Sequence, residues 1–469
     1  MSRKKPFILP NVLFHGIADK GQCAGRAENG ETVFATGIVP GDVADVLVIK
    51  KKKGYHQGVV QHIKTYSPDR VEPVCAHFGT CGGCKWQNLS YPAQLQQKEE
   101  VAHQAFARIG KVPVAEWLPI QPAPELFFYR NKLEFAFSCR RWLTRDEIGK
   151  GLSNAVDVLG FHPAGAFDKV IDIETCHLQA DPSNRVRNAA RKIGARLGLT
   201  FYDALKHEGF LRNIMVRTGS LGQCMVVLSV GADEPEQIAA FSKALINEVP
   251  DITTLWYCVN TKWNDTVFDL DMHLFHGPGY VEERLGKVYF RIGPKSFFQT
   301  NTRQAESLYA IARDFAGLQG HENVYDLYTG IGSIALYLAD ACRQVVGIEE
   351  VGAAVEDARE NCTRNGIANA RFYAGDVRHI LTPDFAAVHG RPDVLITDPP
   401  RAGMHPDVVS MLLELEAPRI VYVSCNPATQ ARDLNGLQEK YEVLKAQPVD
   451  MFPHTHHVEN VALLQLRRS

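Results

Sequence analysis

The sequence predicts a multi-domain α/β protein with a small N-terminal β-barrel, a mixed α+β central domain and a C-terminal parallel sheet flanked by helices. Three observations support this fold class. Short β-type segments separated by Gly and Pro turns occupy residues 1–66, strand and helix patterns are mixed over 74–290, and both alternate regularly over 291–469. A chain of 469 residues is long enough for these three domains.

Composition narrows the class of protein further. The net charge is −2, which argues against a uniformly basic nucleic-acid coat, yet residues 1–64 carry ten Lys or Arg against five Asp or Glu. No secretory leader and no apolar run of membrane-spanning length is present, so we expect a cytoplasmic protein without a membrane partner. In that reducing compartment the eleven cysteines indicate metal binding or catalysis rather than disulfides.

The N-terminal segment is predicted to form a barrel of the oligonucleotide-binding type. Its β-type runs lie at 31–35, 42–49 and 55–60, and a Pro-Gly turn at 40–41 separates the first two. The four consecutive lysines 50–53 fit either a solvated loop or a contact to a phosphate backbone. Residues 68–73 read as a linker.

The central region begins with a cysteine cluster. Cys75, Cys81 and Cys84 fall within ten residues, and two glycines between the last two allow the backbone to wrap tightly. The spacing predicts a clamp for a metal or an iron–sulfur cluster, with zinc or simple buried thiols as alternatives. A helix is predicted over 91–109, and strands are predicted over 133–137 and 223–230.

A ligand-binding turn opens the C-terminal domain. The buried strand 323–327 runs through Tyr328 into Gly-Ile-Gly at 330–332 and then a helix over 334–339. The next strand, 344–349, ends in Glu349, nineteen residues after Gly330, a spacing typical of an acid that accepts ribose hydroxyls. This stretch alone also fits an NAD-binding protein.

A second motif separates these possibilities. The strand 392–397 ends in Asp-Pro-Pro-Arg at 398–401, where two prolines stiffen the loop that presents Asp398. The three strand-end motifs in this order resemble those of S-adenosylmethionine-dependent methyltransferases with a Rossmann-like fold. Methylation of an amino nitrogen is disfavoured, because Arg401 stands where such enzymes usually have an aromatic residue.

The most informative cysteine is Cys425. It follows the apolar run 419–423 and precedes Asn-Pro, which places a thiol in a turn at the carboxyl edge of the sheet. Glu459, thirty-four residues later, is a candidate acid/base partner. Considered alone, Cys425 is better explained as a buried structural thiol, as free cysteines usually are.

Four motifs together resemble the RNA uridine-C5 methyltransferases, which make 5-methyluridine in tRNA or in large-subunit ribosomal RNA. They are Phe-Phe-Gln-Thr-Asn at 297–301, Asp-Pro-Pro-Arg-Ala-Gly at 398–403, Ser-Cys-Asn-Pro-Ala-Thr at 424–429 and His-Val-Glu at 457–459. The resemblance covers residues 295–469. It implies that Cys425 and Glu459 perform the chemistry and that the methyl donor is held by Gln299, Tyr328, Glu349, Asp398 and, at its adenine, Asp376. Ser333 departs from the family's usual Asn and is left out of the predicted site.

The chemistry explains why such a site needs a cysteine. C5 of uracil is a poor nucleophile, and a thiolate that adds to C6 makes C5 reactive. A base must then remove the C5 proton so that the thiolate can leave, and a thiolate both attacks and leaves near neutral pH. Access to both faces of the ring requires the uridine to be flipped out of its stack.

The same resemblance extends to the cysteine cluster and the barrel. Some members of the family have this cysteine spacing and complete a [4Fe-4S] cluster with a distant fourth cysteine. Cys176 and Cys139 are both possible from the residues alone, and the resemblance selects Cys176. A basic barrel of the TRAM type with such a cluster resembles the branch acting on 23S ribosomal RNA, and a monomer is expected. Competing hypotheses are a tRNA substrate, another target base, and an RNA-binding assembly factor with a vestigial methyltransferase domain.

Overall fold

The computed structural model describes residues 7–18 and 21–467. Four of the ten basic residues counted in the N-terminal segment, namely residues 3–5 and 20, lie outside these ranges. Within the described ranges, no helix combines the length and the apolar character needed to cross a membrane.

The N-terminal strands form a closed barrel, as predicted. They are β1 (Phe7–Ile17), β2 (Cys23–Arg26), β3 (Thr32–Ala35), β4 (Val43–Lys52) and β5 (Tyr55–Thr65), joined in the order β1-β2-β3-β5-β4. Alternate residues point inward, so that Val12, Phe14 and Val46 have no exposed surface. The buried carboxylate of Asp42 accepts hydrogen bonds from the backbone N–H groups of Val39 and Ser67, which fixes the predicted Pro-Gly turn.

The lysines 50–53 lie at the tip of the β4–β5 hairpin and are exposed. Lys51 approaches Glu31 at 3.8 Å, a separation at which two exposed charges interact weakly. The barrel therefore presents a basic tip to solvent.

The central domain is built on a seven-stranded sheet in the order β13-β12-β11-β10-β7-β8-β9. The segment before this sheet contains helix α1 (Tyr91–Gln104), a π-helical continuation (Ala105–Gly110) and strand β6 (Val114–Trp117). The central elements in chain order are β7 (Lys132–Ser138), α2 (Arg145–Gly149), β8 (Val158–Phe161), β9 (Ile171–Asp172), α3 (Ser183–Arg196), β10 (Leu211–Thr218), β11 (Cys224–Val230), α4 (Pro235–Glu248), β12 (Thr254–Val259) and β13 (His273–His276). A separate hairpin follows, β14 (Val281–Leu285) and β15 (Val288–Ile292).

The C-terminal domain has the predicted alternation of strands and helices. Its elements are α5 (Thr302–Ala316), β16 (Asn323–Leu327), α6 (Ser333–Leu338), β17 (Gln344–Glu349), α7 (Gly352–Arg364), β18 (Ala370–Ala374), α8 (Val377–Ile380), α9 (Pro383–His389), β19 (Val394–Thr397), α10 (Pro406–Leu415), β20 (Arg419–Ser424), α11 (Pro427–Leu437), β21 (Tyr441–Val449) and β22 (Glu459–Leu466). The sheet order is β18-β17-β16-β19-β20-β22-β21-β6. Strands β16–β20 are parallel, and all of them except the edge strand β18 are covered on both faces, which explains their apolar runs.

One strand of this sheet comes from outside the predicted C-terminal range. Strand β6 pairs in parallel with β21 at Val443↔Val114, and helix α1 with its π-helical end packs against α11 and β21. The boundaries 74–290 and 291–469 stay predictions, but residues 91–117 contribute to the C-terminal sheet and its packing.

Candidate active site

The predicted site residues follow neighbouring strands at one edge of the C-terminal sheet. Leu327 pairs with Thr397 and with Ile348, so the next residues, Tyr328, Asp398 and Glu349, lie side by side where these parallel strands end. Such an edge is where open α/β sheets bind ligands. The structure thus brings together three residues that are far apart in the sequence.

Cys425 and Glu459 are adjacent because of strand register. Strand β22 is antiparallel to β20, with Val423↔Val461 and Ser424↔Asn460 as the last two pairs. One further step along both strands sets Cys425 opposite Glu459. Glu459 is 4% exposed, whereas Cys425 is only partly buried. A thiol and a carboxyl therefore meet at the same edge as the three residues described above.

Four carboxyl groups form a row along this edge, which we call the acidic row: Glu349, Asp326, Asp398 and Glu459. The negative charge of each raises the pKa of the next: Glu349 acts on Asp326, Asp326 on Asp398, and Asp398 on Glu459. Burial first, and then the neighbouring carboxylate, raises the pKa of Asp326 and Asp398 to about 7 and that of Glu459 to about 8. The acidic row is suited to a ligand that brings positive charge.

The surroundings of Cys425 shift the pKa of its thiol in opposite directions. Burial, followed by the charges of Glu459 and Asp398, raises the pKa of Cys425 to about 12. The positive charge of the nearby Arg401 guanidinium lowers the pKa of Cys425 and so favours the thiolate. Helix α11 begins two residues after Cys425, and the partial positive charge of its N-terminus acts in the same direction.

The Gly-x-Gly turn leaves space beside the acidic row. Gly330 has φ +58°, and a Cβ atom added there would meet nothing within 4 Å. Its N–H donates to Oε2 of Glu349 at 3.0 Å, while Oε1 accepts from the N–H of Val351 at 2.9 Å. Tyr328 adopts φ +63°, which is costly for a side chain of this size and is common at functional sites.

Gln299 is held through its backbone. Its carbonyl accepts a hydrogen bond from Nδ2 of Asn131 at 2.9 Å, and the neighbouring Asn301 caps helix α5 by accepting from the N–H of Gln304. The loop that carries Gln299 is thus tied to the start of strand β7 in the central domain. These contacts fix the backbone of this loop, and the assignment of Gln299 to the donor stays a prediction.

Asp376 and Ser333 have partners within the protein. Asp376 caps helix α8 and forms an ion pair with Arg378, which holds the pKa of Asp376 down at about 2. Its assignment to the adenine stays a prediction. Ser333, at the departure from the family pattern, shares a 3.0 Å hydrogen bond with the hydroxyl of Tyr309.

The predicted cysteine ligands line one cavity of about 420 Å³ in the central domain, together with Arg130 and Lys132. The four are Cys75, Cys81, Cys84 and Cys176. Burial, and after it the charges of the neighbouring thiols, raises the pKa of Cys81 to about 11 and that of Cys84 to about 12. Cys139 lies elsewhere, beside Arg140 and Asp203. Among the described residues, no group of three or more His, Cys, Asp or Glu side chains has the geometry to hold a metal ion.

Two residues near the chemistry were missed as site residues. One is Arg401, and the signal that could have found it is its position directly after Asp-Pro-Pro, which puts a cation beside the predicted cofactor loop. Asp326 lies inside the strand that leads to Tyr328, and its Oδ2 accepts from Oγ1 of Thr329 at 2.5 Å. An acid within an otherwise apolar buried strand was the indication that could have found it.

Comparisons with known proteins agree with these motifs. Residues 276–467 match the family model described as tRNA (Uracil-5-)-methyltransferase. The chain is 50% identical over 455 residues to an uncharacterized RNA methyltransferase of Bacteroides thetaiotaomicron, which covers 96% of this chain and 100% of that protein. The chain is also 41% identical to an uncharacterized RNA methyltransferase of Chlorobaculum tepidum, and the match covers 99% of this chain and 97% of that protein.

A solved structure resembles nearly the whole chain. It is the Pyrococcus abyssi tRNA (uracil-54, C5)-methyltransferase in complex with S-adenosyl-L-homocysteine. The two share 28% sequence identity with a TM-score of 0.74, and the match covers 96% of this chain and 99% of that one. The likeness therefore includes the barrel and the central domain as well as the C-terminal sheet.

Proposed function

This chain belongs to the RNA uridine-C5 methyltransferase family, and from that premise we propose that it methylates C5 of a uridine in 23S ribosomal RNA with S-adenosyl-L-methionine as methyl donor. The observation that carries the proposal is the register that sets Cys425 beside Glu459 at the ligand-binding edge of the sheet. The donor supplies an electrophilic methyl group when it is bound. The remaining steps belong to this chain's own residues.

The residues at the edge fit this donor. S-adenosyl-L-methionine carries a sulfonium and an ammonium charge, and the acidic row offers carboxyl groups whose ionisation a nearby cation favours. Gly330 leaves open space for an adenosine, and Glu349 retains lone pairs for ribose hydroxyls beyond its two backbone contacts. We assign donor binding to Gln299, Tyr328, Glu349, Asp376 and Asp398.

In the proposed mechanism Cys425 and Glu459 act in turn on a uridine flipped out of its stack. The thiolate of Cys425, favoured by Arg401, forms a bond to C6, and the electron pair of the C5–C6 double bond makes C5 nucleophilic. After C5 has been methylated, Glu459 takes the C5 proton. The double bond re-forms, the bond between sulfur and C6 breaks, and the thiolate is regenerated. A pKa near 8 makes Glu459 an effective base at neutral pH.

We assign a [4Fe-4S] cluster to the cysteine cavity. The thiols of Cys75, Cys81, Cys84 and Cys176 face one volume, and the cations Arg130 and Lys132 line it as well. Four thiolates around such a cluster carry net negative charge, which these cations would offset. A cluster bound there would join the segment 75–84 to the loop that carries Cys176.

The RNA substrate has two candidates. The basic barrel and the cysteine set support 23S ribosomal RNA through the resemblance to that branch of the family. A tRNA is the second candidate, because the similar Pyrococcus abyssi enzyme acts on uracil 54 of tRNA. The vestigial-domain alternative is disfavoured, because the nucleophile, the base and the donor-binding acids all occupy one edge. The cytoplasmic location stays a prediction.

The test is methylation of defined transcripts. Unmodified 23S ribosomal RNA and a tRNA pool, both transcribed in vitro, are incubated with the protein and radiolabelled donor and then digested to nucleosides. We expect labelled 5-methyluridine from the 23S transcript. Label in tRNA alone would transfer the assignment to the second candidate, and label in neither RNA, or in a nucleoside other than 5-methyluridine, would refute the proposal.

A further inference from the structure

The loop that leads into Glu459 is held by helix α1, which comes much earlier in the sequence. This loop, residues 450–458, connects β21 to β22, and the residues on either side of it, Val449 and Glu459, are paired. Asp450 is therefore one residue away from the strand partner of the proposed base. Contacts that hold this loop in place therefore also restrict the position of the Glu459 carboxyl.

The first fixed point is a fully buried ion pair. Nζ of Lys98, on helix α1, lies 2.5 Å from Oδ1 of Asp450, and neither side chain has exposed surface. The same Nζ donates to the carbonyl of Phe452 at 3.0 Å, and the Phe452 N–H donates to Asp450 at 3.2 Å. Burying two charges costs free energy that their attraction only partly returns. Such a pair is better explained by the geometry it enforces than by stability.

The second fixed point is Gln94, one turn earlier on the same helix. Its Oε1 accepts from the N–H of His454 at 2.8 Å, and its Nε2 lies 3.2 Å from Nδ1 of the same histidine. Nε2 also donates to the carbonyls of Trp86 and Leu89 at 3.0 and 2.8 Å. Gln94 thereby connects the loop to the segment that follows Cys84.

His454 shows that the loop is under constraint. Its φ is +64°, in the left-handed region that a histidine adopts only at a cost. Its carbonyl accepts hydrogen bonds from the N–H groups of Lys85 and Trp86 at 2.8 and 3.1 Å. A strained residue with N–H, carbonyl and ring all engaged is held by its surroundings rather than by its own preference.

We propose that Lys98 and Gln94 are positioning residues for the proton-abstraction step. They touch neither the substrate nor the reacting atoms, and act by fixing the beginning and the middle of the loop, at Asp450 and His454, so that the Glu459 carboxyl stays at C5 of the uracil. The inference rests on the proposed function. Its consequence is selective: Cys425 follows a different strand, β20, so loosening the loop slows proton removal and leaves attack at C6 intact.

The experiment separates the two steps. Protein is mixed in excess with the RNA that the wild type methylates, and both the methylated protein–RNA adduct, stable in detergent, and its decay to product are followed in time. The variants are Gln94→Glu, which keeps the side-chain size and removes the Nε2 donor, and the double variant Lys98→Met/Asp450→Leu, which removes both charges. Gln96→Leu, on the exposed face of the same helix, is the matched control.

We expect adduct formation at the wild-type rate in all three proteins and decay slowed by up to about 100-fold in Gln94→Glu and the double variant, the effect of a displacement of about 1 Å. Gln96→Leu should match the wild type. Decay at the wild-type rate, or an equal loss in both steps, would overturn the inference. The double variant replaces a buried pair with apolar groups and keeps the test valid if Gln94→Glu fails to fold. If the wild type itself forms no adduct, the proposed function fails instead.

Discussion

At the scale of single residues, the site places a poorly acidic thiol beside a carboxyl that is weakly ionised at neutral pH. Burial raises the pKa of both Cys425 and Glu459, and the charge of Glu459 disfavours ionisation of Cys425. The positive charge of Arg401 lowers the pKa of both groups and so favours the ionised form of each. The pair is therefore adapted to hold one negative charge at a time, which matches a cycle in which the thiolate acts first and the carboxylate second.

The first prediction concerns the base. In Glu459→Gln the attack on C6 remains possible, whereas the C5 proton has no acceptor, so turnover should fall by about 100- to 10,000-fold. A methylated protein–RNA adduct should accumulate and be visible as a slow band in a denaturing gel. Normal turnover in this variant would show that another group removes the proton.

The second prediction is a pH profile. In the methylated adduct Cys425 carries no titratable proton, so the decay of the adduct reports on the base. Because the pKa of Glu459 is raised to about 8, its ionised fraction and the decay rate should rise about tenfold per pH unit below that value and level off above it. Rapid-quench measurements between pH 6 and about 9 test this, and a flat profile would contradict it.

At the scale of elements, the strand ends could be predicted and the connections between them could not. Strands leading to Tyr328, Glu349, Asp398 and Cys425 were visible as apolar runs, because a covered parallel strand has few polar residues. Strand β6 and the packing of α1 on the C-terminal domain depend on contacts between distant segments, which local patterns do not encode. The Lys98–Asp450 pair was invisible for the same reason, since 352 residues separate its members.

The third prediction concerns the cysteine cavity. Protein purified without oxygen should be brown and contain about four irons per chain. Cys176→Ser should lose the colour and most of the iron, whereas Cys139→Ser, a matched control outside the cavity, should keep both. Colourless, zinc-loaded wild-type protein, or loss of iron in Cys139→Ser alone, would contradict the assignment.

At the scale of the whole molecule, contacts from the central domain and the barrel reach the parts of the chain that carry the proposed site. The C-terminal sheet carries the proposed site, the loop of Gln299 is tied to Asn131 of the central domain, and the segment after Cys84 contacts the loop before Glu459. The barrel lies next to this assembly, because the N–H of Ile17 donates to Gln97 of helix α1 at 3.0 Å. The barrel could be predicted from its short strands and turns, whereas these cross-domain contacts required the structure.

The fourth prediction concerns the basic tip of the barrel. Replacing lysines 50–53 with glutamine should weaken RNA binding uniformly and reduce the salt dependence of the affinity by up to about 3 in slope, at about 0.7 for each of four phosphate contacts on single-stranded RNA. Fluorescence anisotropy over a range of salt concentrations measures this. Lys287→Gln, at an exposed lysine of the β14–β15 hairpin, is the control. An unchanged slope would show that the tip is only a solvated loop.

The central claim is that Cys425 bonds to C6 of a uracil, and the most direct measurement uses RNA containing 5-fluorouridine. Fluorine at C5 cannot be removed as a proton, so the reaction should stop at the covalent adduct. With methyl donor present, the wild type should form a detergent-stable protein–RNA complex whose mass includes one methyl group, with the modified peptide containing Cys425. The complex should be absent for Cys425→Ala. A complex that persists in Cys425→Ala, or none with the wild type on RNA that it methylates, would contradict the account.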